Sequence, residues 1–275
     1  MTGVVLVAHG SRDPRAGQAT EALASAVRAR HPQWDIRASY LDHSVPRPRQ
    51  VLASFEAAGH QRAVMVPLLL TSAYHGRVDV PGEITAARAE GVRLDVELTD
   101  VLGVAGGRVP ELLLAALVSR LESACSSAGS SSAGSRSAGF STAGVSTAAV
   151  AAGGLDALVL AAAGTRSAEA RATVEQAAAA LGDRLGLPCS VAYASAAPPL
   201  SGDVVRELRA AGHERIGLVS YFLAPGLLWD ATVGSAREAG VDVVTQPLTD
   251  VAELAALVSD RVAGVVARAE ALHAA

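Results

Sequence analysis

The chain has 275 residues and a formal net charge of −4, and half of its residues are hydrophobic. That length admits one large domain or two ordinary ones. The slight acidity argues against a general nucleic-acid binder, and no apolar stretch approaches the roughly 20 uncharged residues of a membrane span.

No basic segment precedes the first apolar run, so no signal peptide is expected. The two cysteines, Cys125 and Cys189, form neither a disulfide framework nor a metal-ligand pattern. A cytoplasmic protein is the expectation. Every basic residue is an arginine, a side chain suited to carboxylate ligands.

The first half alternates short Val/Leu-rich runs with longer helical patterns. Strands are expected near 3–9, 35–41, 62–70 and 93–98, and helices near 14–30, 47–58, 80–90 and 109–123. From 124 to 154 the composition shifts to Ser, Ala and Gly, with one Arg and one Phe. This stretch has too little bulk for a core and reads as a flexible linker. Strands then recur near 156–163, 188–193, 214–223 and 241–246, with helices near 168–185, 201–211, 229–239 and 251–270.

The halves resemble each other. Gly10-Ser11-Arg12 lines up with Gly164-Thr165-Arg166, and AAGHQRAVMVPLLL (57–70) with AAGHERIGLVSYFL (210–223). The expected organisation is therefore a domain at 1–123, the linker 124–154 and a duplicate domain at 155–275. Strand-helix alternation of this kind implies an α/β fold. Each domain should hold a parallel four-stranded sheet covered by helices on both faces. Ligands of such sheets bind at the carboxyl ends of the strands.

Two strands of the first half run straight into chemistry. VVLVAHGSRDPR (4–15) ends its apolar run at His9, and PLLLTSAYHGRVDVPGE (67–83) delivers His75 to the same rim. Two imidazoles on one rim can share a divalent metal ion or accept protons near neutral pH. A single histidine at a strand end is more often a structural ring. Here the duplicate half carries Ala163 opposite His9 and Leu228 opposite His75, so maintaining the fold does not require either ring. Ser11 and the amides after Gly10 offer an anion-binding helix start. Arg12, Arg47 and Arg77 are candidate carboxylate partners.

These motifs, AHGSRDP, YLDHSVP and VPLLLTSAYHGRVDVP, resemble the class II tetrapyrrole chelatases, the CbiX/SirB-type sirohydrochlorin cobalto- and ferrochelatases. The resemblance spans both halves. It implies two duplicated chelatase-like domains facing across a cleft, and insertion of Fe2+ or Co2+, with Ni2+ a further candidate, into sirohydrochlorin or a related tetrapyrrole for sirohaem or cobalamin synthesis. The divalent metal is then a substrate, and no organic cofactor is implied. By the same resemblance His9 and His75 bind the metal and assist insertion; the residues themselves make Ser11, Arg12 and Arg77, with Asp42, the candidates that serve the tetrapyrrole. Asp42 stands where the family carries a glutamate, and His43 beside it is an auxiliary candidate. The protein is expected to act as a monomer without membrane or nucleic-acid partners. The alternative is a non-catalytic metal or tetrapyrrole carrier. A histidine phosphatase is disfavoured because Ala8 stands where those enzymes place an arginine, and no Gly-x-Ser-x-Gly elbow marks a serine hydrolase.

Overall fold

The protein is described from a computed structural model covering residues 2–71, 78–130 and 154–273. The first repeat runs β1 (Thr2–Ala8), α1 (Pro14–Arg30), β2 (Trp34–Tyr40), α2 (Pro48–Ala57), β3 (Arg62–Pro67), α3 (Val80–Ala89), β4 (Asp95–Leu98) and α4 (Glu111–Ser130). The second runs β5 (Ala157–Ala162), α5 (Ala168–Leu185), β6 (Cys189–Tyr193), α6 (Ser201–Ala210), β7 (Ile216–Tyr221), α7 (Leu227–Glu238), β8 (Val243–Val244) and α8 (Ala252–His273).

Each repeat builds one four-stranded parallel sheet, in the order β2-β1-β3-β4 and β6-β5-β7-β8. Parallel strands buried on both faces need continuous apolar runs. Val4 to Val7 and Ala157 to Ala161 are such runs, all fully buried. Alternate residues serve opposite faces. In the first sheet Val5, Val7, Ala63 and Met65 pack with Leu52 and Phe55 of α2 and Val80 and Ala87 of α3. In the second, Val159, Ala161 and Leu218 pack with Val205 of α6 and Val233 and Ala236 of α7.

The expected boundaries 1–123 and 155–275 differ from the compact units. One unit comprises residues 1–113 with 249–275, and the other comprises 114–248. The reason lies in the last helix of each repeat. The helix α8 packs against α1 and β3 of the first sheet. The helix α4 belongs with the second sheet, where Leu121 lies beside Gly217 of β7. Each sheet is thus completed by the helix of the other repeat.

The linker also starts later than expected. Residues 124–130 continue α4, with Cys125 buried and the Ser126 and Ser127 hydroxyls donating to the carbonyls of Glu122 and Ser123. The remainder of that expected linker up to residue 153 lies outside the described residues. No helix among the described residues is long and apolar enough to cross a membrane.

Candidate functional site

In the first sheet β1 and β3 are neighbours, while the chain leaves β1 toward β2 on the other side. The carboxyl ends of β1 and β3 therefore flank the point where the strand order reverses, the usual ligand crevice of an open parallel sheet. His9 follows β1 directly and is exposed. His75 and Arg77 lie outside the described residues, in the connection that follows β3.

The loops after β1 and β2 are locked together. The Leu41 N–H donates to the Ala8 carbonyl (3.0 Å) and the Asp42 N–H to the His9 carbonyl (2.8 Å). The Ser44 hydroxyl donates to the Ser11 carbonyl (3.2 Å). Gly10, at φ +91°, makes this approach possible, since a Cβ there would lie 1.8 Å from the Asp42 carbonyl oxygen. The loops bring Asp42, His43 and Arg47 to the rim beside His9.

Asp42 accepts the backbone N–H of His43 at 2.8 Å. Its carboxylate stands 3.4 Å from His43 Nε2 and 3.7 Å from the Arg47 guanidinium. The His43 N–H is the main cause that holds this carboxyl below its ordinary value, with the charges of His43, Arg47 and His9 adding to it. Asp42 is consequently an anion at neutral pH. Arg47, a candidate partner for substrate carboxylates, here faces Asp42 instead.

Ser11 is turned inward to its own chain. Its hydroxyl accepts the Asp13 N–H (3.0 Å), and the Asp13 carboxylate caps α1 by accepting the Arg15 N–H (3.0 Å). The helix start proposed to receive an external anion thus carries one of its own. Arg12 is exposed on the same rim. No group of three or more metal-ligating side chains is preassembled among the described residues. Burial raises both thiols, Cys189 to about 12, so neither is a thiolate donor near neutral pH.

The second unit repeats this rim in backbone and drops its chemistry. Gly164, at φ +93°, would set a Cβ 1.9 Å from the Ser195 carbonyl oxygen. The Ala194 and Ser195 N–H groups donate to the carbonyls of Ala162 and Ala163, as Leu41 and Asp42 do to Ala8 and His9. Ala196 shares the left-handed backbone of His43, with φ of 64° and 58° respectively, and both loops contain a cis X-Pro peptide. The Thr165 hydroxyl accepts the Ser167 N–H, as Ser11 does for Asp13. His9, Asp42, His43 and Arg47 are thereby matched by Ala163, Ser195, Ala196 and Leu200.

The pairing of His75 with Leu228 does not hold. Backbone bonds equate the ends of α3 and α7: Gly91 N–H to Arg88 and Val92 N–H to Ala87, against Gly240 to Arg237 and Val241 to Ala236. Counting back along the helices sets Val78 level with Leu227 and Asp79 level with Leu228. Eighteen positions separate Leu70 from Arg88 but fourteen separate Leu223 from Arg237, so the connection carrying His75 is four residues longer than its counterpart. The clues missed in the sequence were this difference in length and the Pro46/Pro199 match that fixes the second loop.

Two parallel sheets related by duplication, with His9, Asp42, His43 and Arg47 on the rim of the first and Ala163, Ser195, Ala196 and Leu200 at the matching positions of the second, define a two-repeat α/β protein. The CbiX family model matches residues 3–124 and 157–265, and the chain belongs to that family. It is 28% identical over 109 residues to a sirohydrochlorin cobaltochelatase of Methanococcoides burtonii, covering 39% of this chain and 77% of that protein. A sirohydrochlorin cobaltochelatase of Methanosarcina acetivorans is 26% identical over 108 residues, with the same coverage of 39% and 77%. The fold is shared with SirB from Bacillus subtilis with Fe3+, at a TM-score of 0.76 and 18% identity over 98% of this chain and 97% of that one. SirB from Bacillus subtilis subspecies spizizenii in complex with cobalt gives a TM-score of 0.70 at 16% identity, covering 94% and 93%.

Proposed function

We propose that the protein is a sirohydrochlorin chelatase that inserts Co2+ or Fe2+ into the macrocycle. One observation carries this reading: the two rims share their backbone, yet His9, Asp42, His43 and Arg47 occur only on the first. The names of the relatives support it, since the two archaeal proteins are sirohydrochlorin cobaltochelatases and the Bacillus proteins hold iron or cobalt.

The chemistry suits the residues. As the divalent ion enters the ring, two pyrrole N–H protons leave, so charge balances. Imidazoles accept Co2+, Fe2+ and also Ni2+ without the grip of a closed four-ligand cage, and the ion has to move on. His9 and His75 deliver the metal and take up the released protons. The anionic Asp42 adds charge that favours a cation at the rim. Arg12 and Arg77 serve the substrate carboxylates, and Ser11, whose oxygen already accepts the Asp13 N–H, has only its own O–H to donate to one. In this reading the enzyme acts as a cytoplasmic monomer in sirohaem or cobalamin synthesis, without an organic cofactor.

The test is metal insertion by the full chain, with sirohydrochlorin and Co2+, Fe2+ or Ni2+ in separate reactions, followed by the absorbance change. Turnover above the uncatalysed rate is expected with Co2+ or Fe2+. Binding of metal and tetrapyrrole without turnover would make the protein a carrier.

A further inference from the structure

The connection from β4 to α4 is longer than its counterpart in the second repeat. The Leu102 N–H donates to the Leu69 carbonyl (2.9 Å) as the Leu248 N–H does to the Phe222 carbonyl (2.9 Å). Leu69 and Phe222 occupy matching positions, so Leu102 and Leu248 match as well. From there α4 begins nine positions on, at Glu111, whereas α8 begins four positions on, at Ala252. The longer connection makes room for a hairpin. Ala105 and Arg108 exchange both backbone bonds (3.2 and 3.1 Å), and Gly106 and Gly107 between them hold φ of +56° and +72°. Two left-handed residues in succession are what a type I′ turn requires, and two glycines meet the requirement without strain.

The base of this hairpin belongs to the core. Val101, Leu102 and Val104 are buried. A Cβ on Gly103 would stand 1.7 Å from the Leu70 carbonyl oxygen, so backbone meets backbone at the head of the connection that carries His75. The tip is free: Gly106, Gly107 and Arg108 are exposed. Because the strands are parallel, the chain leaves β4 at the same edge of the sheet as it leaves β1, β2 and β3. Arg108 is therefore held on the rim that carries His9, Arg12 and Asp42. Other arginines of this rim have carboxylate partners: Arg15 pairs with Asp13, Arg47 with Asp42 and Arg49 with Glu83. Arg12 and Arg108 make no ion pair among the described residues. In the second repeat the short connection Thr249-Asp250-Val251 carries an acid and no base.

We infer that Arg108 is a substrate-binding residue that holds a peripheral carboxylate of the tetrapyrrole, an inference that rests on the chelatase reading. A guanidinium takes a carboxylate through two parallel N–H···O bonds, which fix direction as well as distance. The backbone that carries this one is held by the paired hairpin bonds above a buried base, so part of the ordering cost of binding is met before the substrate arrives. Joining the fourth strand to the next helix does not require the hairpin, since the second repeat manages in four positions. Loops at the ligand edge of a parallel sheet are where a rigid scaffold carries its binding residues. Arg108 then contributes to affinity for the tetrapyrrole and not to affinity for the metal.

The experiment compares the full-length protein with the variants Arg108→Gln and Arg108→Lys. Arg30→Gln serves as a control for net charge, since Arg30 is exposed at the end of α1, on the opposite edge of the sheet. Sirohydrochlorin is titrated by absorbance and fluorescence without metal, and Co2+ is titrated separately. Sirohydrochlorin affinity should fall about tenfold in Arg108→Gln, as expected for losing a charge-assisted pair of hydrogen bonds. The loss should be smaller in Arg108→Lys, which keeps the charge and gives up the fork. Co2+ affinity should stay within about twofold in both, since no metal ligand changes. Unchanged sirohydrochlorin affinity in Arg108→Gln would overturn the assignment of Arg108 while leaving the chelatase reading intact. An equal loss in Arg30→Gln would make the effect one of overall charge, and an equal loss of Co2+ affinity would make it one of the fold; either would overturn the assignment too. Failure of the unaltered protein to bind or metallate sirohydrochlorin would remove the chelatase reading itself, and the role of Arg108 with it.

Discussion

The carbonyl oxygen of Asp42 fills the space that a side chain at Gly10 would need: a Cβ there would stand 1.8 Å away, at a φ of +91°. Both the positive φ and the contact forbid a larger residue, and the far atom belongs to backbone rather than to a flexible side chain. Gly164 and Ser195 repeat the relationship at 1.9 Å.

Gly10→Ala and Gly164→Ala should therefore destabilise by similar amounts, about 2 kcal/mol or more each, from overpacking and backbone strain. Chemical denaturation would measure this. Only Gly10→Ala should also abolish insertion at temperatures where both variants remain folded, because its loop carries Asp42 and abuts His9. Equal activity in the two variants would refute the assignment of the working rim to the first unit.

His9→Ala is expected to leave the melting temperature unchanged within about 1 °C, since truncating an exposed side chain opens no cavity. Metal insertion should fall by about 10²-fold or more, the usual loss when a positioned proton acceptor is removed. Insertion kinetics beside a thermal melt would check both halves of this expectation. Near-normal turnover would refute the role given to His9.

Much of this was legible in the sequence. The bounds of α1 and α5 match the expected 14–30 and 168–185, because both helices carry local punctuation. Asp13 and Pro14 open the first; Ser167 opens the second, and Gly186 closes it in a left-handed turn. His9 was legible because a titratable ring after four buried residues contradicts a core strand. The grip of His43 and Arg47 on Asp42 was not, since it depends on a left-handed residue at position 43 that the sequence does not mark. Nor was the register of the His75 connection, which needs the backbone bonds at the far ends of α3 and α7. The similar strings Leu98-Thr99-Asp100 and Leu248-Thr249-Asp250 mislead in the same way. The Thr99 N–H donates to Met65, and its match in the second sheet is Thr245, donating to Leu218.

At the opposite end of the first sheet, Asp35 offers a test of pH dependence. Its carboxylate pairs with Arg37 (2.7 Å) and His60 (3.3 Å). The hydrogen bond from Arg37 is the largest cause that lowers it, partly opposed by burial. A carboxyl lowered in the folded state stabilises above its unfolded value, near 3.8, and that stabilisation is lost as the pH falls through the folded value. Asp35→Asn should lower stability by about 1 kcal/mol at pH 6–7. The difference from the unaltered protein should shrink below about pH 4. Melts across this range would check it, and a gap that widens toward low pH would contradict the pairing.

The exchange of terminal helices makes the most direct structural prediction. The helices α4 and α8 both contain the string LAALVS, at 114–119 and 254–259, so sequence alone does not say which sheet each one covers. In the structure Leu254, Leu257, Val258, Val262 and Val265 of α8 are buried, and α8 packs on α1 and β3. At roughly 1.5–3 kcal/mol for each buried side chain, this face is worth about 10 kcal/mol. That is comparable with the whole stability of an ordinary domain, about 5–15 kcal/mol. A fragment 1–123 keeps α4 and lacks α8, whereas residues 1–113 joined through a Gly/Ser tether to 249–275 keep the native layer. The joined chain should melt cooperatively, and the 1–123 fragment should be poorly folded and bind a hydrophobic dye. Circular dichroism melts of the two would decide it. A 1–123 fragment as stable as the joined chain would mean that α4 can cover the first sheet in place of α8, and that the exchange is not required for folding.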